Sequence, residues 1–234
     1  MSAELDRAEA PRRFVILCLG RTGSTHLQSM LDFHSQARCF GELFGDGEPP
    51  TFATSGHSDP AAFLEDLLAG IEERAVGFKL PMNSIRAEPA AAELVRRDGR
   101  IAAIRLSRRN RLAQLVSRRL LAATGVSQSI FGAYGEAMVQ IEPRECIAAF
   151  ERMEADEDEL DALCVGRETF RIDYEELGDE ARLEALQRFL GIEPEALRSW
   201  YTKLRNRPLR ETVSNWDDLV AALADTRFAS YLDE

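Results

Sequence analysis

Six residues, Gly20-Arg21-Thr22-Gly23-Ser24-Thr25, separate an unbroken apolar run, Phe14 to Leu19, from apolar residues that resume at helical spacing. A strand that feeds a helix through such a turn leaves several amide N–H groups unpaired at the positive end of the helix. The chemistry on offer is anion binding. A nucleoside-triphosphate loop of this kind needs a lysine directly after its second glycine; Ser24 stands there instead, so the loop alone does not identify its anion.

A second group of residues lies in "IAAIRLSRRNRLAQLVS", where a strand is expected to end at Leu106 and a helix to begin near Asn110. Arg109 and Ser117 are eight residues apart, a little over two helical turns. From just before the helix, the Arg109 fork can swing across it to meet the Ser117 hydroxyl at one anion, giving a second phosphate site on the same sheet edge. Two separated sites imply a ligand with separated phosphates. Lys79 in "GFKLP" and Glu42 in "RCFGELFG" each close a short apolar run, at the carboxyl end of a strand where open parallel sheets gather ligands. Phe40, Leu43 and Phe44 would strip water from Glu42, which suits proton abstraction.

These residues need a scaffold, and short β-prone runs alternating with helical patterns supply one: an α/β fold whose mostly parallel central sheet carries helices on both faces. Five strands are expected: Phe14 to Leu19, a weak one at Ala37 to Phe40, Val76 to Leu80, Ile101 to Leu106, and Thr169 to Asp173. Crossover helices are expected at Ala61 to Arg74, Pro89 to Arg97 and Arg109 to Ala122, with a longer helix over Pro143 to Leu163 and extra C-terminal helices, the last opened by Ser214 as N-cap. Gly45 to Pro60, rich in Gly, Pro, Ser and Asp, reads as a lid too polar to pack. The expected organisation is a disordered tail over residues 1–12 and one domain over 13–234.

Composition narrows the function. A net charge of −11 argues against a general nucleic-acid binder, although arginines crowd Arg96 to Arg119 and acids crowd Glu151 to Glu159. Cys18, Cys39, Cys146 and Cys164 show neither CxxC pairing nor zinc-site spacing, and clustered carboxylates that would hold another metal are lacking. The charged N-terminus is followed by no signal core, and no apolar run is long enough to cross or stably enter a bilayer. The expectation is a cytoplasmic protein with reduced thiols and no metal.

The loop at residues 20–26, the Arg109-to-Ser117 spacing, "VGFKLP", "IDYEEL…LQRFLG" and "RPLRETVSNWDDL" together resemble the sulfotransferases that use 3′-phosphoadenosine 5′-phosphosulfate (PAPS). The resemblance is strongest to bacterial enzymes that sulfate carbohydrates and glycolipids, including the trehalose-modifying kind, and it spans most of the chain. It implies a P-loop-like three-layer fold in which Arg21, Thr22, Gly23, Ser24 and Thr25 cradle the 5′-phosphosulfate. Arg109 and Ser117 would hold the 3′-phosphate, and the segment of Arg207 and Arg210 would close over the same end. His26 falls where relatives stack an aromatic ring on adenine, and Tyr174 borders the same base; packing roles fit both residues equally well. Arg21 and Lys79 would neutralise charge on the bridging and sulfuryl oxygens.

Many cytosolic members place a histidine base two residues after that lysine. Here Pro81 occupies the position. The resemblance assigns the role to Glu42 instead, against the plain alternative of a solvent-facing loop acid, just as Lys79 has the alternative of a surface lysine. The implied reaction moves a sulfuryl group from PAPS to a hydroxyl of a carbohydrate or glycolipid, leaving adenosine 3′,5′-bisphosphate; no nucleic-acid partner is expected, and the oligomeric state stays open, a homodimer being suggested by the pairing of related bacterial enzymes. A nucleoside-triphosphate kinase on the same strand–loop–helix unit is the competing reading, and a non-catalytic nucleotide binder is the third.

Overall fold

The computed structural model describes residues 10–45, 47–126, 135–201 and 207–233. The apolar run after Arg13 becomes a strand buried on both faces: Phe14, Val15, Ile16, Leu17 and Cys18 are all fully inaccessible. Side chains alternate across a strand, so this one feeds two cores. Val15 and Leu17 pack on one side of the sheet, while Phe14, Ile16 and Cys18 pack on the other.

In chain order the elements are β1 (Arg12–Cys18), α1 (Ser24–Asp32), β2 (Ala37–Glu42), α2 (Phe52–Ser55), α3 (Pro60–Leu68), β3 (Ala75–Pro81), α4 (Met82–Ala87) and α5 (Pro89–Arg97). There follow β4 (Ile101–Ser107), α6 (Arg111–Thr124), α7 (Pro143–Ala162), β5 (Thr169–Asp173), α8 (Glu180–Phe189), α9 (Leu209–Thr212) and α10 (Trp216–Leu223). The five strands form one sheet in the order β2-β3-β1-β4-β5, with every pair parallel. Leu27, Met30 and Leu31 of α1 pack on one face together with Leu186 of α8. Residues of α3, α5, α6, α7 and α10 pack on the other. The chain is therefore an α/β three-layer fold.

Topology sets the place of the site. β1 lies between β3 and β4, and the helices leaving β1 and β4 go to opposite faces. Their loops diverge and open a crevice at the carboxyl ends of the strands.

Several boundaries differ from expectation. The first strand begins at Arg12, whose amide donates to the Arg74 carbonyl at 2.8 Å, so the expected tail is shorter than 1–12; residues 1–9 lie outside the described residues. Helix α3 stops at Leu68 rather than running to Arg74, because Ala69 leaves helical geometry and Gly70 turns left-handed at φ +83°. Ser214 is not the N-cap of α10. Asn215 precedes that helix, and the Ser214 amide and hydroxyl both donate to the Val139 carbonyl, tying the chain to the segment before α7.

The segment from Gly45 to Pro60 also packs more than its polarity suggests. The Phe52 ring sits 5.8 Å from both Phe44 and Phe63, its amide donates to the Leu43 carbonyl at 2.7 Å, and Thr51 is buried. One aromatic anchor outweighs the flanking Gly and Pro.

Candidate functional site

The turn after β1 is shaped by its carbonyls. Thr22, fully buried, donates its hydroxyl to the Leu19 carbonyl at 2.9 Å. Gln114 Nε2 donates to the Gly20 carbonyl at 2.8 Å, and Arg108 Nη1 donates to the Arg21 carbonyl at 3.2 Å. Across a trans peptide the carbonyl and the following N–H point in opposite directions. Three consecutive carbonyls held back against the protein turn the amides of residues 20, 21 and 22 the other way. Left-handed backbone at Arg21 (φ +66°) and Gly23 (φ +82°) curls the turn into the kind of concavity that binds anions. A Cβ on Gly23 would lie 2.6 Å from Cδ2 of Tyr174, so the aromatic ring of "IDYEEL" seats the turn from outside. The Arg108 guanidinium lies 4.3 Å from the centre of the same ring.

From this turn α1 starts at Ser24, and Thr25 in its first turn meets the neighbouring strands. Lys79 Nζ donates to Thr25 Oγ1 at 3.1 Å and sits 3.1 Å from Glu42 Oε1. The Lys79 side chain is only 7% exposed and that of Glu42 is 27% exposed, so this ammonium is largely removed from water and held by its partners. Ser84 donates to the other carboxylate oxygen, Glu42 Oε2, at 3.3 Å.

An irregularity in β2 makes the pair. Phe40 is opposite Phe78, and the next pairing is Glu42 opposite Lys79, so Gly41 is an extra residue on β2. Regular alternation would leave Glu42 on the face of Phe40 and Phe78. The bulge carries it across to the face of Lys79.

On the other side of the turn, Arg21 Nε donates to Ser117 Oγ at 3.1 Å. Ser117 therefore adjoins the turn. The partner of Ser117 is Arg21, however, whereas the Arg109 guanidinium lies 3.5 Å from Asp173 and 3.7 Å from Glu175 with its side chain 64% exposed. Glu175 also accepts the backbone amides of Arg109 and Asn110, at 3.2 and 3.3 Å, which fixes the start of α6. The expected swing of Arg109 onto Ser117 is thus not the arrangement observed, because two carboxylates at and just beyond the end of β5, Asp173 and Glu175, lie beside the guanidinium.

The remaining expected residues lie as follows. His26 Nδ1 is 3.2 Å from the Tyr201 carbonyl, and burial pushes its pKa down against that hydrogen bond. Tyr174 is half-buried under the turn. Arg210 is exposed on α9, and Arg207 lies 3.7 Å from Glu211. Among the described residues no group of three or more His, Cys, Asp or Glu side chains could hold a metal ion, and no helix is long and apolar enough to cross a membrane.

Sequence reasoning missed Arg108, Gln114 and Ser84. Gln114 did leave a signal, being a polar residue amid the buried stripe Leu112 to Ser117 of α6. Ser84 left none.

No protein-family model matches the chain, and no curated protein matches it either. Among solved structures, a sulfotransferase from Alicyclobacillus acidocaldarius matches over 95% of this chain and 95% of its own, at 16% identity and a TM-score of 0.48. What bears on function is the site itself.

Proposed function

We propose that the chain transfers a sulfuryl group from PAPS to a hydroxyl of a carbohydrate or glycolipid acceptor. The observation that carries this reading is the meeting of Glu42, Lys79 and Thr25 within 3.1 Å contacts beside a turn whose carbonyls are held by Thr22, Gln114 and Arg108. A base, a buried cation and an anion cradle side by side are what an in-line transfer of an anionic group needs: placement and charge stabilisation rather than covalent catalysis. The cradle's own donors, amides with the hydroxyls of Ser24 and Thr25 and the Arg21 guanidinium, suit a phosphosulfate. In this reading Ser117 and Arg109 take the 3′-phosphate, Arg109 leaving Asp173 and Glu175 to do so.

In this reading Glu42 takes the proton of the acceptor hydroxyl as its oxygen forms a bond to sulfur. The bond from sulfur to the bridging oxygen breaks, and the electron pair leaves with adenosine 3′,5′-bisphosphate. Arg21 and Lys79 neutralise the charge that gathers on the bridging and sulfuryl oxygens.

Two measurements test it. Adenosine 3′,5′-bisphosphate should raise the melting temperature more than ATP with magnesium does, and the reverse order would favour the kinase reading. Incubation with ³⁵S-labelled PAPS and a panel of sugars and glycolipids should label a hydroxyl acceptor; binding of the bisphosphate with no transfer to any of them would favour a non-catalytic binder.

A further inference from the structure

Resting on the reading of Glu42 as the proton acceptor, we propose that Ser84 is a positioning residue that fixes the plane of the Glu42 carboxylate, and that Gly45 is a glycine so that Ser84 can reach it. Helix α4 follows β3 without a loop, its first turn carrying Ser84 down beside the end of β2. The residue is fully buried, as is Met82 on the same short helix. A buried hydroxyl needs a partner, and a helical serine commonly takes a backbone carbonyl one turn back. Ser84 instead bonds Glu42 Oε2 at 3.3 Å, and because an ionised carboxylate only accepts, the hydroxyl is the donor.

The glycines around Glu42 give an independent indication. A Cβ on Gly45 would stand 2.3 Å from Ser84 Oγ and 3.5 Å from Glu42 Oε2, and a Cβ on Gly47 would stand 2.6 Å from the Glu42 carbonyl oxygen. The chain after β2 curls over its own glutamate, and any side chain at residue 45 would take the place of the serine hydroxyl.

The consequence is a carboxylate held at both oxygens, Oε1 by Lys79 and Oε2 by Ser84. One contact alone lets the group rotate about the lysine; two fix its plane and leave each oxygen a further lone pair toward the crevice. Proton abstraction requires that direction to be held while the acceptor approaches. The hydrogen bond of the Ser84 hydroxyl goes to Glu42 and not to the turn, so its effect is expected at the base.

Crystal structures of the wild type and of Ser84→Ala, both with adenosine 3′,5′-bisphosphate, test this directly. The carboxylate of Glu42 should turn or become disordered in the variant while Lys79, Thr25 and the nucleotide keep their places. An unchanged carboxylate overturns the proposal. In the transfer assay Ser84→Ala should lower kcat by about tenfold, within the range that misplacement of a reacting group produces. KM for PAPS should stay unchanged, and Ser84→Ala should cost nothing further in a Glu42→Gln background. A slowing in that background equal to the slowing in wild type would also overturn it, because the serine would then act through something other than Glu42. Gly45→Ala should reproduce the Ser84→Ala phenotype, and its melting temperature separates displacement of the hydroxyl from misfolding. A turned carboxylate in a protein that moves no label from PAPS would sink the transferase reading and leave the positioning role standing.

Discussion

Lys79 Nζ stands 3.1 Å from Glu42 Oε1, across two strands whose regular pairing would put these side chains on opposite faces of the sheet. The single extra residue Gly41 brings them together. On the reading of Glu42 as base, Glu42→Gln keeps size and hydrogen bonding but cannot take a proton. The expected result is a fall in kcat of about 10²- to 10⁴-fold with unchanged affinity for adenosine 3′,5′-bisphosphate, measured by label transfer and by calorimetry. Full transfer by the variant would remove the glutamate from the chemistry.

Gly23 has two reasons to be glycine: a left-handed φ of +82° and a Cβ position only 2.6 Å from the Tyr174 ring. The backbone term alone costs an L-residue about 1–2 kcal/mol, and the ring must also move. Gly23→Ala should lose most of its bisphosphate binding while the sheet stays folded, as far-ultraviolet circular dichroism would show.

Gln114 holds the Gly20 carbonyl at 2.8 Å from a fully buried position on α6. Gln114→Leu leaves that carbonyl without this donor, at an expected cost of about 1–3 kcal/mol if water does not replace it. The fall should appear in denaturant unfolding, accompanied by weaker bisphosphate binding as the turn relaxes. Unaltered binding would mean that the turn keeps its shape without the glutamine.

Arg109 is offered as the 3′-phosphate ligand, though it now lies near Asp173 and Glu175. A charge-assisted hydrogen bond is worth about 1.5–3 kcal/mol, so Arg109→Ala should cut the preference for the 3′,5′-bisphosphate over adenosine 5′-monophosphate by roughly 10- to 100-fold. Equal loss for both nucleotides would show that Arg109 does not read the 3′ position.

The loss of stability on acidification should depend in part on Glu65. The Arg13 fork grips it at 2.6 and 2.7 Å, and that hydrogen bonding, helped by Arg100, holds its carboxyl at about 2 against an ordinary 4.5. A pKa depressed on folding adds stability that is complete above the unfolded value and disappears as pH falls from about 4.5 toward 2. The Glu65 side chain is half exposed, so screening limits the contribution to about 1 kcal/mol or less. Glu65→Gln should therefore be less stable than wild type near neutrality, and the gap in unfolding free energy should close on acidification. A constant gap would show that the carboxylate charge plays no part.

The legible features of the chain were those carried by local pattern. Apolar runs bounded by turn residues located β1, β3 and β4, whose burial on two faces leaves a continuous hydrophobic signal, and the edge strands β2 and β5 were located from shorter, mixed runs. The turn between β1 and α1 was legible for the same local reason: glycine and hydroxyl residues interrupt the apolar pattern between the strand and the helix. Helix ends were less legible. Gly70 stopped α3 inside a stripe that continues apolar to Ile71, and Ser214 looked like a cap until Val139 claimed it.

By itself the sequence determined the α/β class, the strand set, and the presence of Arg21 between β1 and α1, Glu42 and Lys79 near the ends of strands, Arg109 just before α6 and Ser117 within it. Only the tertiary structure decided who meets whom. One bulged residue chose the face of Glu42, a glycine at residue 45 admitted Ser84 to it, and the carboxylates of Asp173 and Glu175 at the end of β5 hold Arg109 while Arg21 meets Ser117. Residue spacing fixes which side chains share an element, but a contact between elements depends on register and on competing partners, and both are settled only when the strands pack.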